Sequence, residues 1–363
     1  MKIVVYGLTI TSSWGNGHAT TYRSLLRALH RRGHTAHFIE RDVEWYRSNR
    51  DLPEPGFCTV QLYDDWKKES KAIVDASAGS DAVVVGSYFP DAIALTQALL
   101  EAGRGPLLFY DIDTPITMAS LRANGGTEYL AAQLIPHYAA YLSFTGGPIL
   151  AELEEQFGSP WAVPFYCSVD SNLYKPTPGA EAFRCDLSYL GTYAPDRQSK
   201  LMQLLAGAAA LVPEQRFLVA GPQYPKDIVW RANIRKMIHI SPPEHPAFYS
   251  SSRFTLNLTR NDMVAAGYSP SVRLFEASAC GAAILSDSWS GIDEFLTPGE
   301  EILLPSDEYE VAAILSGMPD NDRRYMGQRA RERILAEHTS EHRAQQFEKI
   351  IEKVSRTCTA PHG

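Results

Sequence analysis

The feature that most constrains this chain is alternation: short apolar runs of strand length, each followed by a loop and then a stretch with helical spacing. Residues 2–6 form the first run, and a loop with glycine and serine follows over 7–17. A helix is expected from about His18 to Arg32, with Leu25, Leu26 and Leu29 on one face. Gly33 stops it and residues 35–40 form the next strand. Residues 82–86 and 107–110 repeat the theme, and 141–145 are expected to close the set. A second series runs through 187–190, a helix over about 199–211, and strands over 216–220, 254–258, 283–286 and 302–304. Between the two series, residues 163–184 lapse into prolines and polar residues, which reads as a linker. This order predicts an α/β chain with two Rossmann-like domains, 1–165 and 180–338, facing each other across a cleft. The charged helical region over about 322–354 ends the pattern, and its last helix, about 340–357, is expected to pack back on the first domain.

A chain of 363 residues is too long for one core and comfortable for two. Its net charge of −8 is spread along the sequence, which argues against nucleic acid as a partner, since phosphate backbones demand concentrated positive charge. The basic clusters at His30-Arg31-Arg32, Arg323-Arg324 and 329–333 read as solvated helix faces. No apolar run approaches the roughly 20 residues that span a bilayer, and the start lacks a secretory pattern, so a cytoplasmic protein without an integral membrane span is expected. Five widely spaced cysteines form neither a zinc pattern nor a disulfide framework.

The most informative segment begins Ser269-Pro-Ser-Val-Arg-Leu-Phe-Glu-Ala-Ser-Ala-Cys-Gly281 and continues through Ser286-Asp287 and Gly291-Ile-Asp-Glu294 to Pro298-Gly-Glu-Glu-Ile302. Residues 273–280 read as a short helix stopped by Gly281. Its first turn, with Ser271 and Arg273, offers unpaired N–H groups and a cation to a diphosphate. Glu276 lies one turn further on, where a carboxylate can accept from a ribose diol. The plain alternative is a helix residue answering the dipole. Arg197 follows the first strand of the second series through Gly191 and Thr192, and Arg260 follows a later one. With Arg273 they put three guanidiniums at strand ends, enough to neutralise a leaving diphosphate without a metal. The bland reading of each is a surface salt bridge.

These words resemble the CgeB-like glycosyltransferases, a group allied to the large retaining glycosyltransferase family 4 with the GT-B fold. The resemblance extends upstream to 186–196 and 256–260 and more faintly through the first half. It implies sugar transfer from a nucleoside diphosphate sugar, UDP or dTDP, to a small-molecule, glycan or protein acceptor, retaining and without a metal or other cofactor. It also implies that Glu276 binds the donor ribose. The chain departs from the wider family at Tyr268, where a second, sugar-contacting glutamate is expected eight positions before Glu276. Donor-sugar identity therefore does not carry over.

In the first half, Gly15-Asn-Gly17-His18 precedes a helix without being a P-loop or a dinucleotide fingerprint. Gly17 allows close backbone approach to phosphate or sugar, and His18 is a candidate general base. The arrangement is similar to inverting GT-B enzymes, which pair an early histidine with a downstream aspartate; Asp113 stands at a suitable place. A histidine lining the loop is the alternative. Within Asp111-Ile-Asp113, Asp113 is read as a cleft residue and not as a metal ligand, and Tyr88 as lining the same cleft or packing in the core or its loop. A sugar-nucleotide 2-epimerase or an inactive sugar-nucleotide-binding module are the competing functions. A nicotinamide dehydrogenase is disfavoured because the dinucleotide glycine fingerprint is absent.

Overall fold

The computed structural model describes residues 1–359, and the chain divides into two compact units. Unit 1 comprises Met1–Cys167 together with the helix Ser340–Thr359, and unit 2 comprises Ser168–Thr339. The chain thus crosses between units twice.

Unit 1 holds a seven-stranded, wholly parallel sheet: β1 (Lys2–Tyr6), β2 (Thr35–Arg41), β3 (Thr59–Tyr63), β4 (Ala82–Gly86), β5 (Leu107–Asp111), β6 (Ala140–Ser143) and β7 (Ala162–Pro164). Their order is β3-β2-β1-β4-β5-β6-β7. The central strands β4 and β5 are buried at every position, as expected where helices cover both faces. The order reverses between β1 and β4, which pair in parallel with Tyr6 beside Val85. In such a sheet the crevice beyond the strand carboxyl ends at this reversal is where ligands bind.

Unit 2 repeats the plan with five parallel strands: β8 (Cys185–Leu190), β9 (Phe217–Ala220), β10 (Ile234–Met237), β11 (Ser252–Asn257) and β12 (Ala283–Ser286). Their order is β10-β9-β8-β11-β12, so the reversal falls between β8 and β11. Leu187, Leu205, Phe217, Phe254, Leu285 and Val311 anchor its core.

Three expectations need correction. Residues 302–304 are not a strand: Leu303 makes only an isolated bridge to Leu285, and Ile302 another to Pro298. The proline-rich stretch is not all linker, because Ala162–Pro164 supplies the last strand of the first sheet, with Pro164 beside Ser143 at the edge, where a missing N–H is tolerated. The basic cluster at the end of the first helix is exposed, as expected, but it is not merely solvated. Arg32 forms a two-pronged pair with Glu348, Arg31 pairs with Glu341, and His34 Nε2 lies 2.7 Å from Glu348, tying helix His18–Arg31 to helix Ser340–Thr359. Phe347, Ile350, Ile351 and Val354 bury the inner face of that last helix.

Candidate functional site

In unit 1 the loop after β1 is fastened from below by two carboxylates. Glu40, 1% exposed at the end of β2, accepts from the backbone N–H of Ile10 (2.5 Å) and of Thr11 (3.2 Å) and from the Thr11 hydroxyl (2.5 Å). Asp51 accepts from Ser13 N and Oγ, both 2.8 Å, and from both terminal nitrogens of Arg23, at 2.9 and 2.8 Å. Burial pushes the Asp51 carboxyl up, but the Arg23 guanidinium and the Ser13 bonds outweigh it and hold it at about 2. A depressed folded-state value gives stability that is present above the ordinary carboxyl range, near 4, and lost as pH falls towards 2. Asp51→Asn should therefore lower stability at neutral pH, by an amount that solvent screening keeps modest, and flatten the acid limb of a thermal-unfolding profile between about pH 4 and 2, where variant and wild type converge. An unaltered acid limb would remove this loop clamp from the account.

The anchored loop delivers Gly17, which is exposed, and then His18, which opens the first helix and is buried. His18 Nε2 lies 3.8 Å from Asp113 Oδ2, and Nδ1 is buried without a hydrogen-bond partner. Asp113 comes from the turn after β5, at the entry of helix Thr114–Asn124. The two residues proposed from sequence as a pair are thus brought together at the carboxyl end of the first sheet, beside the β1/β4 reversal.

Tyr88 completes the group. It sits just beyond β4 with φ 63°, a left-handed backbone that costs an L-tyrosine energy. Its ring stands edge-on to His18, centroids 5.3 Å apart at 87°, and packs on the Tyr129 ring with centroids 4.7 Å apart. Burial, then the Asp113 charge, push its phenol up, so it stays protonated. Asp111 is fully buried: Tyr141 donates to Oδ2 at 2.5 Å, and Thr117 Oγ1 (3.0 Å) and Asp113 N–H (3.2 Å) donate to Oδ1. Among the described residues no three His, Cys, Asp or Glu side chains gather as metal ligands.

In unit 2 the helix Val272–Ala279 starts beside the β8/β11 reversal. Its N-cap Ser271 does not cap it; the hydroxyl donates instead to Asn257 Oδ1 at the end of β11 (2.7 Å). No acidic residue occupies the first turn. The helix start therefore keeps donors available for an anion.

Arg273 is placed differently from the open cation expected of it. It is 8% exposed, its Nε donates to Leu190 O (2.8 Å), Nη2 donates to the same carbonyl, and Nη1 donates to Asn257 Oδ1 (2.9 Å). It stitches the end of β8 to the end of β11, with its guanidinium 5.0 Å over the Tyr189 ring. Close packing beyond β8 explains Gly191: a Cβ there would meet Tyr189 Oη at 2.7 Å and Arg273 Nη2 at 3.0 Å. The freer cations lie further along. Arg197 donates to Thr192 O (2.9 Å) and leaves Nε without a partner, and Arg260 Nε lies 3.8 Å from Asp196 and also makes no hydrogen bond. Lys200, which sequence reasoning passed over, reaches Asp287 at 2.7 Å, and Asp287 is itself held by Thr259 N and Oγ1, both 3.0 Å.

Glu276 is 5% exposed in the second turn of the same helix, past the reach of a simple dipole answer. His245 Nδ1 is 3.7 Å away and 3.3 Å from the Tyr174 hydroxyl, and the Tyr174 and Tyr249 phenols lie close enough to feel the Glu276 charge. Burial, then the Glu276 charge, push both phenols well above their usual range, which keeps them as donors. No spacing in the sequence signals these three partners. Tyr268 also has a left-handed backbone, φ 48°, and its N–H donates to Ser290 O at 2.6 Å. Its ring packs so tightly on Gly291 that a Cβ there would meet it at 2.3 Å.

With this geometry in place, comparison with known proteins adds three findings. Residues 197–349 match the family described as "Glycosyl transferase-like". No curated protein matches the sequence. Among solved structures, sucrose-phosphate synthase from Thermosynechococcus elongatus is similar at TM-score 0.73 and 15% identity, covering 98% of this chain and 99% of that one. Anabaena HepE in complex with UDP and glucose is similar at TM-score 0.72 and 13% identity, covering 97% and 100%. An Escherichia coli protein titled trehalose-6-phosphate, bound with UDP-2-fluoro glucose, follows at 0.67 and 11%, covering 97% and 99%. The chain has the GT-B fold, and the segment 197–349 is glycosyltransferase-like in sequence.

Proposed function

We propose that the chain is a CgeB-like glycosyltransferase that moves a sugar from UDP or dTDP to an acceptor hydroxyl, with retention and without a metal ion. The observation that carries this reading is the uncapped start of helix Val272–Ala279 at the β8/β11 reversal, inside the segment that matches the transferase family. Donors there and at Arg197 and Arg260 suit a diphosphate whose charge grows as the bond to the sugar breaks. Gly191 and Thr192 bring backbone close to the same place, Ser271 and Arg273 hold the frame, and Tyr268 with Gly291 walls the sugar side. Glu276 accepts from the ribose hydroxyls while Tyr174 and Tyr249 keep it fixed. Unit 2 thus holds the donor. In unit 1, Gly17, His18 and Asp113 meet the acceptor hydroxyl or the transferred sugar. HepE and the E. coli protein hold UDP or a UDP-sugar, which supports the choice of donor class.

Thermal-shift titration with UDP, dTDP, GDP and NAD, with and without magnesium, tests it. UDP or dTDP at about 100 times Kd should stabilise the fold by about 2.7 kcal/mol with or without magnesium. Glu276→Ala should abolish the shift. A shift with NAD alone would sink the proposal, and a strict magnesium requirement would sink its metal-free part. The anomeric proton coupling of the product reads retention against inversion; an inverted product would make His18 the base.

A further inference from the structure

We propose that Trp45 is a stacking platform for the acceptor, and that the acceptor offers it an uncharged pyranose ring. The proposal rests on the reading of unit 1 as the acceptor side, and it names the chemical class which that reading leaves open. Among the described residues of unit 1, Trp45 is the only tryptophan, tyrosine or phenylalanine left exposed, at 53%. The fold fixes its position. The short helix Glu44–Arg47 follows the carboxyl end of β2, as the glycine loop follows that of β1. Asn49 Nδ2 donates to Trp45 O (2.9 Å), Ser12 Oγ donates to Asn49 O (2.7 Å), and Leu52 N–H donates to Thr11 O (3.0 Å), so the helix and the loop are tied together. A Cβ on Gly15 would stand 3.9 Å from Trp45 Cζ2, which puts the rim of the indole against the loop that leads to His18. Gly17, between them, is open: nothing lies within 4 Å of where its Cβ would be.

An indole is a flat apolar body with a single polar edge, and it suits a ligand of the same character. A pyranose is such a ligand. The C–H bonds on one of its faces pack against an aromatic ring, while the hydroxyls at its edge remain free for backbone N–H groups and an imidazole. The surrounding charge selects against an anionic version. Residues 40–51 hold four carboxylates and three guanidiniums, so a phosphate or carboxylate meets no surplus of positive charge there. Those guanidiniums are also engaged: Arg47 with Asp42 (3.0 Å) and Asp64 (2.9 Å), Arg50 with Asp42 and the Thr11 hydroxyl (3.1 Å), Arg41 with Asp64 O (3.3 Å). Arg23, from the first helix, is held at both terminal nitrogens by Asp51. To take a phosphate, the site must break one of these charge-assisted pairs; a neutral ring breaks none.

The test is an NMR titration of the full chain that follows the indole Nε1–H signal of Trp45, assigned by its loss in Trp45→Tyr. The probes are the methyl glycosides of glucose, galactose, mannose and N-acetylglucosamine, with glucose 6-phosphate and benzyl alcohol as the charged and the aromatic alternatives. At least one neutral glycoside should shift the signal at millimolar concentration, and glucose 6-phosphate should bind about tenfold more weakly or worse. Trp45→Ala should weaken the same glycoside about tenfold, read from the glycoside's own resonances, and Trp45→Tyr should restore most of that loss. Both variants replace an exposed side chain, so their folding is not at risk. Tighter binding of glucose 6-phosphate or benzyl alcohol than of every neutral glycoside would overturn the proposal. So would a Trp45 signal that answers none of the probes, or undiminished glycoside binding in Trp45→Ala. The UDP thermal shift of the wild type reads unit 2; its absence would sink the donor reading and leave the glycoside titration standing.

Discussion

Arg273→Ala should lower the melting temperature of unit 2 by about 5–15 °C and weaken UDP binding at least tenfold. Among the described residues, Arg273 is the only side chain that satisfies both the last carbonyl of β8 and the amide oxygen of Asn257, which also takes the Ser271 hydroxyl. Truncation strands a buried carbonyl and half-strands a buried amide, at about 1–3 kcal/mol each. In a unit of this size each kcal/mol is worth about 2–4 °C. The binding loss follows because the helix start is held at the sheet reversal by these same bonds. Arg273→Lys should recover only part of either effect, since an ammonium cannot reach both acceptors with the geometry of a guanidinium fork. Differential scanning calorimetry and UDP titration measure the two effects. A variant with wild-type melting and wild-type affinity would show that the stitch is ornamental.

His18→Ala should behave in the opposite way. Its imidazole is buried with Nδ1 unpaired, so its removal deletes an unmet hydrogen-bonding demand along with the packing, and stability should change by no more than about 1 kcal/mol. Sugar transfer should fall by about 10², the scale of a lost positioning contact to the acceptor hydroxyl or the transferred sugar. Asp113→Asn should lose a comparable factor, and the double variant should be little worse than either single one, because residues acting as a unit are not additive. Initial rates of donor turnover supply the numbers. Additive losses would separate the pair into two independent contacts.

The parts of the fold that were legible in the sequence are those that repeat. Central strands such as β4 and β5 are apolar at every position, and apolar runs of that length between loops announce themselves. The missed strands are edges: β3 is half exposed, β10 carries exposed Arg235 and Lys236, and β7 is three residues long with a proline. Such strands are specified by their neighbour's unpaired backbone more than by their own side chains. Residues 302–304 erred the other way, with Ile302 buried and Leu303 and Leu304 half-buried without a ladder. At the site, the positions following strand ends were legible because a doubly wound sheet puts chemistry there, and His18, Asp113, Ser271 and Glu276 all obey that rule. The left-handed backbone of Tyr88 was not legible, since nothing in the sequence marks a tyrosine for it. Nor were Tyr174, His245 and Tyr249, which reach Glu276 from segments far away in the chain.

The last helix has a consequence for how the chain emerges from the ribosome. The first sheet is fully synthesised by Pro164, yet the helix that covers Leu25 and Leu29 and answers Arg31, Arg32 and His34 is encoded after the whole of unit 2. During synthesis of some 170 residues at about 5–20 per second, unit 1 waits for roughly 10–30 seconds with an apolar groove and three uncompensated bases facing solvent or a chaperone. The order of the gene therefore makes unit 2 the first half able to mature, and leaves the amino-terminal half to finish last.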